Sequence, residues 1–163
     1  MEKVLVAGAS GLMGGHLVKS LLEDGYRVRA VGRRPVGEWR QTFGAAENLQ
    51  LDLREKENCY KAADGVDFIF NLAADIGGVN FIEKNKALCM LSVLINTHLL
   101  MAARDFGVKR YFYASTHAVS VADTKGGGVT PAALEDGHIW EKLFSERMCR
   151  HFREDFGLVT RIG

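Results

Sequence analysis

Val4-Leu5-Val6-Ala7-Gly8-Ala9-Ser10-Gly11-Leu12-Met13-Gly14-Gly15 is a short apolar run that breaks into glycines and then continues at helical spacing. The run reads as a strand, and Leu12, Leu17, Val18, Leu21 and Leu22 mark one side of the helix that follows. Each glycine has a separate task at such a junction. Gly8 permits the tight strand-to-helix turn, Gly11 lets a ligand approach the backbone, and Gly14 lets the helix pack closely. The helix start presents backbone N–H groups without intrahelical acceptors, which suits a pyrophosphate. The spacing G-x-x-G-x-x-G departs from the common G-x-G-x-x-G pattern, but its strand-turn-helix setting is the one such a phosphate cradle requires. The bland alternative is a glycine turn with no ligand.

Moving outward, Lys3 to Ala7 is the first predicted strand and Gly11 to Glu23 the first helix, stopped at Asp24-Gly25. Tyr26 to Val31 is a second strand, Arg33 to Glu47 mostly loop, and Leu49-Gln50-Leu51 a third strand. Arg54 to Ala63 reads as a short helix closed by Asp64-Gly65. Asp67 to Leu72 is a nearly continuous apolar strand, as expected where a parallel sheet is covered on both faces. A single long helix is expected from Phe81 to Phe106, then a strand from Val108 to Ala114. A loop from Thr116 to Leu134 carries Gly126-Gly127-Gly128 and Pro131. The last helix, His138 to Phe156, has Ile139, Leu143, Phe144, Phe152 and Phe156 toward its expected buried side, and Leu158 to Ile162 is a sixth strand. This alternation predicts an α/β doubly wound parallel sheet of the Rossmann type, in strand order 3-2-1-4-5-6, with a ligand crevice where the order reverses.

The chain has 163 residues, 47% hydrophobic and 25% charged, enough for one domain, residues 1–163, around a single core. Its formal net charge of +1, without a basic block, does not indicate a nucleic-acid surface. No uninterrupted apolar run approaches the ~20 residues of a membrane span, and no leader pattern precedes the first strand, so a cytoplasmic location is expected. Cys59, Cys89 and Cys149 are odd in number and widely spaced, as reduced thiols are.

The end of the second strand decides between the nicotinamide cofactors, because a carboxylate there accepts hydrogen bonds from the adenosine ribose and repels a 2′-phosphate. No acid stands there. Val31 is followed by Gly32-Arg33-Arg34, whose guanidiniums can take a phosphate in bidentate fashion, so NADP is expected and NAD less so. Alternatively Arg33 and Arg34 are solvated loop charges. Asp52-Leu53 after the third strand and Leu72-Ala73-Ala74 at the end of the fourth fall where adenine and ribose would lie. With Gly8, Ser10, Gly11, Leu12, Met13 and Gly14 they make up the expected cofactor contacts.

These segments together carry a resemblance. The glycine turn, Asp52-Leu53-Arg54, Glu57-Asn58-Cys59, Gly65-Val66-Asp67, Asn71 through Gly78, Lys109 through Ser115, Glu141-Lys142-Leu143 and Asp155-Phe156-Gly157 resemble the extended short-chain dehydrogenase/reductases. Within them the NAD(P)-dependent epimerase/dehydratase family, and there the GDP-mannose 3,5-epimerase pattern, fits best. The resemblance implies interconversion of nucleotide sugars by transient oxidation on a nicotinamide, with a Ser/Thr, a Tyr and a Lys in a Tyr-x-x-x-Lys arrangement. Such a pair lies on one helical face, where the ammonium favours the phenolate.

Carried over residue by residue, the tyrosine position is His138 and the lysine is Lys142, which also belongs to the expected cofactor contacts. Thr116 takes the serine position, Ala118 replaces an acid/base cysteine, and Ser92 replaces an asparagine. Asp75, Gly77 and Gly78 match a substrate-side loop. The chain stops at Arg161-Ile162-Gly163, so the relatives' C-terminal substrate domain is expected to be lacking. His138 is either a general base in place of the phenol or a drifted helix-start residue, and His117 is a second candidate. His16 and His98 read as packing or capping residues, and His151 lies far along the last helix. No histidine pair has ligand spacing, and no metal is expected.

Three functions remain open at this point: an epimerase- or reductase-like enzyme using Thr116, His138 and Lys142, a non-catalytic cofactor-binding or sensor module, and a partial chain needing a separate substrate domain. The resemblance also implies a homodimer through the long and last helices, drawing on Leu88, Leu91, Leu99, Phe144 and Met148.

Overall fold

The computed structural model of the chain describes residues 1–75, 79–116, 119 and 137–163. Strands β1 (Lys3–Ala7), β2 (Arg27–Gly32), β3 (Glu47–Gln50), β4 (Phe68–Asn71), β5 (Arg110–Tyr113) and β6 (Thr160–Ile162) form one sheet in order β3-β2-β1-β4-β5-β6. Every adjacent pair is parallel, so the predicted doubly wound topology is the observed one. The helices are α1 (Leu12–Glu23), α2 (Lys56–Ala63), α3 (Val79–Lys84), α4 (Lys86–Met90), α5 (Ser92–Asp105) and α6 (Gly137–Phe156).

The alternation of β1 divides the core. Val4 and Val6 enter one buried cluster with Val18, Leu21, Val28 and Trp39, whereas Leu5 and Ala7 enter the other with Ile69, Leu99, Leu100 and Tyr111. A central parallel strand must be apolar on both faces, and β1 is.

Arg29 on β2 is a charged residue within this frame, and it is buried. Its guanidinium donates to the carbonyls of Lys61 at 3.2 Å, Ala62 at 2.8 Å and Asp64 at 2.8 Å, and to Glu47 at 3.0 Å. A cation thereby satisfies the orphan carbonyls at the end of α2, and the helix dipole favours it there.

Several expectations are corrected. The long helix is not continuous from Phe81 to Phe106: it breaks at Asn85 and Leu91 into α3, α4 and α5. The Asn85 side chain donates to Phe81 O at 2.9 Å, a local bond that competes with the helical ladder. Lys86–Asp105 is by length and composition apolar enough to cross a membrane, with mean hydropathy 1.5, but 44% of it is buried against the rest of the domain. There Leu99, expected on a dimer surface, is fully enclosed in the core.

The stripe that α6 buries also differs from the expected one. Glu141, Lys142, Ser145, Cys149 and Phe152 face inward, whereas Phe144 and Phe156 are about half exposed. Polar partners waiting on β5 and α5 explain the reversal, as set out below. On α1, Leu12 is 56% exposed rather than packed with Val18 and Leu21.

Candidate functional site

A cleft of about 650 Å³ opens at the carboxyl ends of the central strands, at the reversal of strand order. Gly8, Ser10, Gly11, Leu12, Met13, Gly14, Arg33, Arg34, Asp52, Leu53, Leu72, Ala73 and Ala74 all line it. Val31, Gly32, Leu51, Arg54, Asp75, Ile95 and Ala114 complete the wall.

The glycine turn forms because β1 ends against two neighbours at once. Gly8 and Ala9 both donate to Val31 O, at 2.9 and 3.0 Å, and Gly8 takes φ +88°. A Cβ on Gly8 would fall 2.8 Å from the Leu72 carbonyl carbon, and one on Gly14 2.8 Å from Ala9 Cα. Both glycines are therefore required by the fold itself. Gly11 is different: a Cβ there would meet only Gly8 O, at 3.4 Å. Gly15 N bonds Gly11 O at 3.1 Å, and no side chain caps α1 and no acid stands in its first turn.

Arg33 and Asp75 meet across the cleft. Arg33 Nη1 and Nη2 lie 2.8 Å from Asp75 Oδ2 and Oδ1 respectively, a two-pronged pair. Asp75 was expected on the substrate side and Arg33 at the adenosine phosphate; the structure joins them. Arg34, though exposed, donates to Ser10 O at 2.7 Å, which ties it to the glycine turn. Arg54 chelates Asp52 and reaches Asp75 Oδ2 at 3.4 Å. The Arg54 hydrogen bonds hold the Asp52 carboxyl below its ordinary range, and the pair raises Arg54 in turn.

Asn71, the last residue of β4, is buried beneath the cleft floor. Its Oδ1 accepts from Ala73 N at 3.2 Å, and its Nδ2 donates to Asn96 Oδ1 at 3.2 Å and to the Tyr111 hydroxyl at 3.0 Å. Asn96 then donates to Ser145 O on α6 at 3.3 Å.

Two of the candidate catalytic residues, His138 and Lys142, meet at one carboxylate on α6. Lys142, 5% exposed, does not line the cleft wall but donates to Ala114 O, a wall residue, at 2.9 Å. Its ammonium also stands 4.7 Å over the Tyr113 ring. Burial pulls its pKa down, against the neighbouring Glu141 carboxylate, which raises it. Glu141 is the residue that sequence reasoning missed. It is 1% exposed, with Oε1 held by Tyr113 at 2.7 Å and Ser145 at 3.1 Å. Its Oε2 lies 3.6 Å from Lys142 Nζ and 3.8 Å from His138 Nδ1. One carboxylate thus collects both helix candidates. Thr116 ends the described stretch after β5, its carbonyl accepting from Val119 N at 3.1 Å.

Ser92 Oγ, in the asparagine position, accepts from Asp75 N at 2.9 Å. Gly77, Gly78, His117 and Ala118, and most of the loop that follows, lie outside the described residues. His16 is exposed beside Gln41, and His151 is exposed and 3.0 Å from Glu154, so neither belongs to the cleft.

Comparison with known proteins agrees with this fold. A family profile described as the NAD dependent epimerase/dehydratase family matches residues 4–163. GDP-mannose 3,5-epimerase of Arabidopsis thaliana is 34% identical over 177 residues, covering 99% of this chain and 45% of its own. The crystal structure of UDP-glucose 4-epimerase from Thermotoga maritima with UDP-glucose superposes with a TM-score of 0.84 at 20% identity, over 98% of this chain and 54% of that one. The UDP-glucose 4-epimerase of Thermus thermophilus, a complex with NAD, gives 0.83 at 23% identity, over 98% and 53%. At those identities the structures speak for the fold alone. The chain spans about half the length of the curated relatives it matches.

Proposed function

We propose that this chain, which belongs to the NAD dependent epimerase/dehydratase family, is a single dinucleotide-binding domain that takes NADP in preference to NAD and supports epimerase- or reductase-like chemistry on a nucleotide sugar. The observation that carries the reading is Gly11. Its lack of a side chain answers to no protein contact closer than 3.4 Å, so the space it keeps open belongs to whatever enters the cleft. A pyrophosphate fits that space, beside the uncapped first turn of α1.

In this reading Ser10, Leu12 and Met13 flank the phosphates, and Asp52 and Leu53 lie beside the adenine. Leu72, Ala73 and Ala74 leave room for the ribose. Arg33 and Arg34 supply the cations that favour a 2′-phosphate. When bound, the nicotinamide supplies a site for hydride. Thr116 would then hold a substrate hydroxyl, and His138 would accept its proton. Lys142 would anchor the cofactor side from Ala114.

A second reading, a cofactor-binding module without turnover, is favoured by the same corner. His138 stands where relatives carry a phenol, and Glu141 lies 3.8 Å from its Nδ1. Titration of the purified chain with NADPH and NADH tests the first step: NADPH is expected to bind at least tenfold more tightly, and loss of both affinities overturns the proposal. Turnover of GDP-mannose or a small carbonyl that disappears in His138→Ala supports the enzyme; tight binding without turnover supports the module.

A second copy of this chain is the proposed partner for the exposed apolar face of Leu88, Leu91 and Phe144. Sedimentation as a monomer at micromolar concentration rules it out.

A further inference from the structure

Arg33 follows β2 and Asp75 follows β4, the two strands that flank β1. Their ion pair therefore bridges the crevice from one side of the glycine turn to the other. Both contacts are 2.8 Å, and the arrangement is fork to fork, the same geometry in which a guanidinium takes two phosphate oxygens. The carboxylate occupies the anion position of Arg33.

The two partners are not held alike. The Asp75 side chain is 13% exposed, its backbone N–H is bonded to Ser92 Oγ at 2.9 Å, and Arg54 approaches the same carboxylate at 3.4 Å. The Arg33 side chain is 54% exposed. Asp75 is the anchored member, and the pair opens by a swing of Arg33 toward solvent or toward a ligand.

We propose that Asp75 is a built-in competitor for the anion site of Arg33, and so sets how strongly the cleft separates phosphorylated from unphosphorylated adenosine ligands. The inference rests on the reading of the cleft as a dinucleotide site. A 2′-phosphate carries more charge than a carboxylate and displaces Asp75 from the guanidinium; a ribose hydroxyl does not, and the bridge stays closed beside it. While the bridge is closed, the carboxylate also keeps Arg33 aimed across the crevice.

The test uses the whole chain and two nucleotide probes, 2′,5′-ADP and 5′-ADP, titrated calorimetrically at fixed pH and low salt. Asp75→Asn is expected to shift the ratio of their dissociation constants by three- to tenfold in favour of 2′,5′-ADP, because the phosphate no longer has a carboxylate to displace. Arg33→Gln, at an exposed position, is expected to lower the preference for 2′,5′-ADP at least threefold, with Arg34 supplying what remains. A ratio unchanged in Asp75→Asn, in a wild type that binds both probes, overturns the competitor role and leaves the cleft reading standing. Failure of wild type to bind either probe overturns the cleft reading and the competitor role with it.

Discussion

The Tyr113 hydroxyl donates to Glu141 Oε1 at 2.7 Å, so strand β5 supplies the bond that keeps a helix carboxylate inside the core. Burial, and then the carboxylate itself, push the Tyr113 phenol far above its ordinary range, which keeps it a donor at any working pH. Tyr113→Phe is expected to cost about 1.5–3 kcal/mol, the usual worth of a hydrogen bond to a charged group. Glu141→Ala is expected to cost more, about 3–5 kcal/mol, because it strands the buried ammonium of Lys142. Urea midpoints measure both; a loss below about 0.5 kcal/mol for either, the range of neutral surface changes, removes this account.

Arg29 makes a prediction of its own. Replacing it with Met keeps much of the volume but leaves the carbonyls of Lys61, Ala62 and Asp64 without their shared donor. A loss of about 2–3 kcal/mol is expected, with faster amide exchange in α2 than in α5. Uniform exchange across both helices contradicts a local capping role.

The glycines of the turn separate by experiment. Gly8→Ala forces a side chain to φ +88° against the Leu72 backbone and is expected to cost about 1–3 kcal/mol. Gly11→Ala has only one neighbour at 3.4 Å, so its unfolding free energy is expected to stay within about 0.5 kcal/mol of wild type while dinucleotide affinity drops. Thermal melts paired with NADPH titration distinguish them, and unaltered affinity in Gly11→Ala counts against the phosphate cradle.

Cys59 and Cys149 are pushed up from 9.0 to about 12, each chiefly by burial. A thiol raised in the folded state is ionised first in the unfolded chain. Its contribution is therefore complete below pH 9 and falls as pH climbs from 9 toward 12, by up to about 1.4 kcal/mol per pH unit for each thiol. Stability measured from pH 8 to 10 is expected to decline, and less steeply in the double variant Cys59→Ala, Cys149→Ala. Equal slopes would show that the thiols are not responsible.

The order of the six strands could be read from the sequence because every crossover left a local mark: apolar β1, its glycine turn, and helix stops such as Asp64-Gly65. Most of the cleft wall could be read for the same reason, as its segments lie at or directly after strand ends; Ile95, inside α5, is the exception. What escaped was decided at long range. Glu141, Lys142 and Ser145 break the apolar stripe expected of a buried helix face, and partners distant in sequence, the hydroxyl of Tyr113, the carbonyl of Ala114 and the amide of Asn96, make that burial tolerable. Likewise Arg33 and Asp75 are 42 residues apart, and no periodicity announces that they pair. The interruption of the long helix at Asn85 has a local cause, an asparagine whose side chain bonds the backbone four residues earlier.

The amide groups of Asn71 and Asn96 stitch the floor under Ala73 to the middle of α6. Neither half of the domain can loosen without breaking that seam, whose members have no water to turn to. Pressure or heat should thus find a single melting unit, and any molecule that tightens the mouth of the crevice will also quiet the final helix behind it.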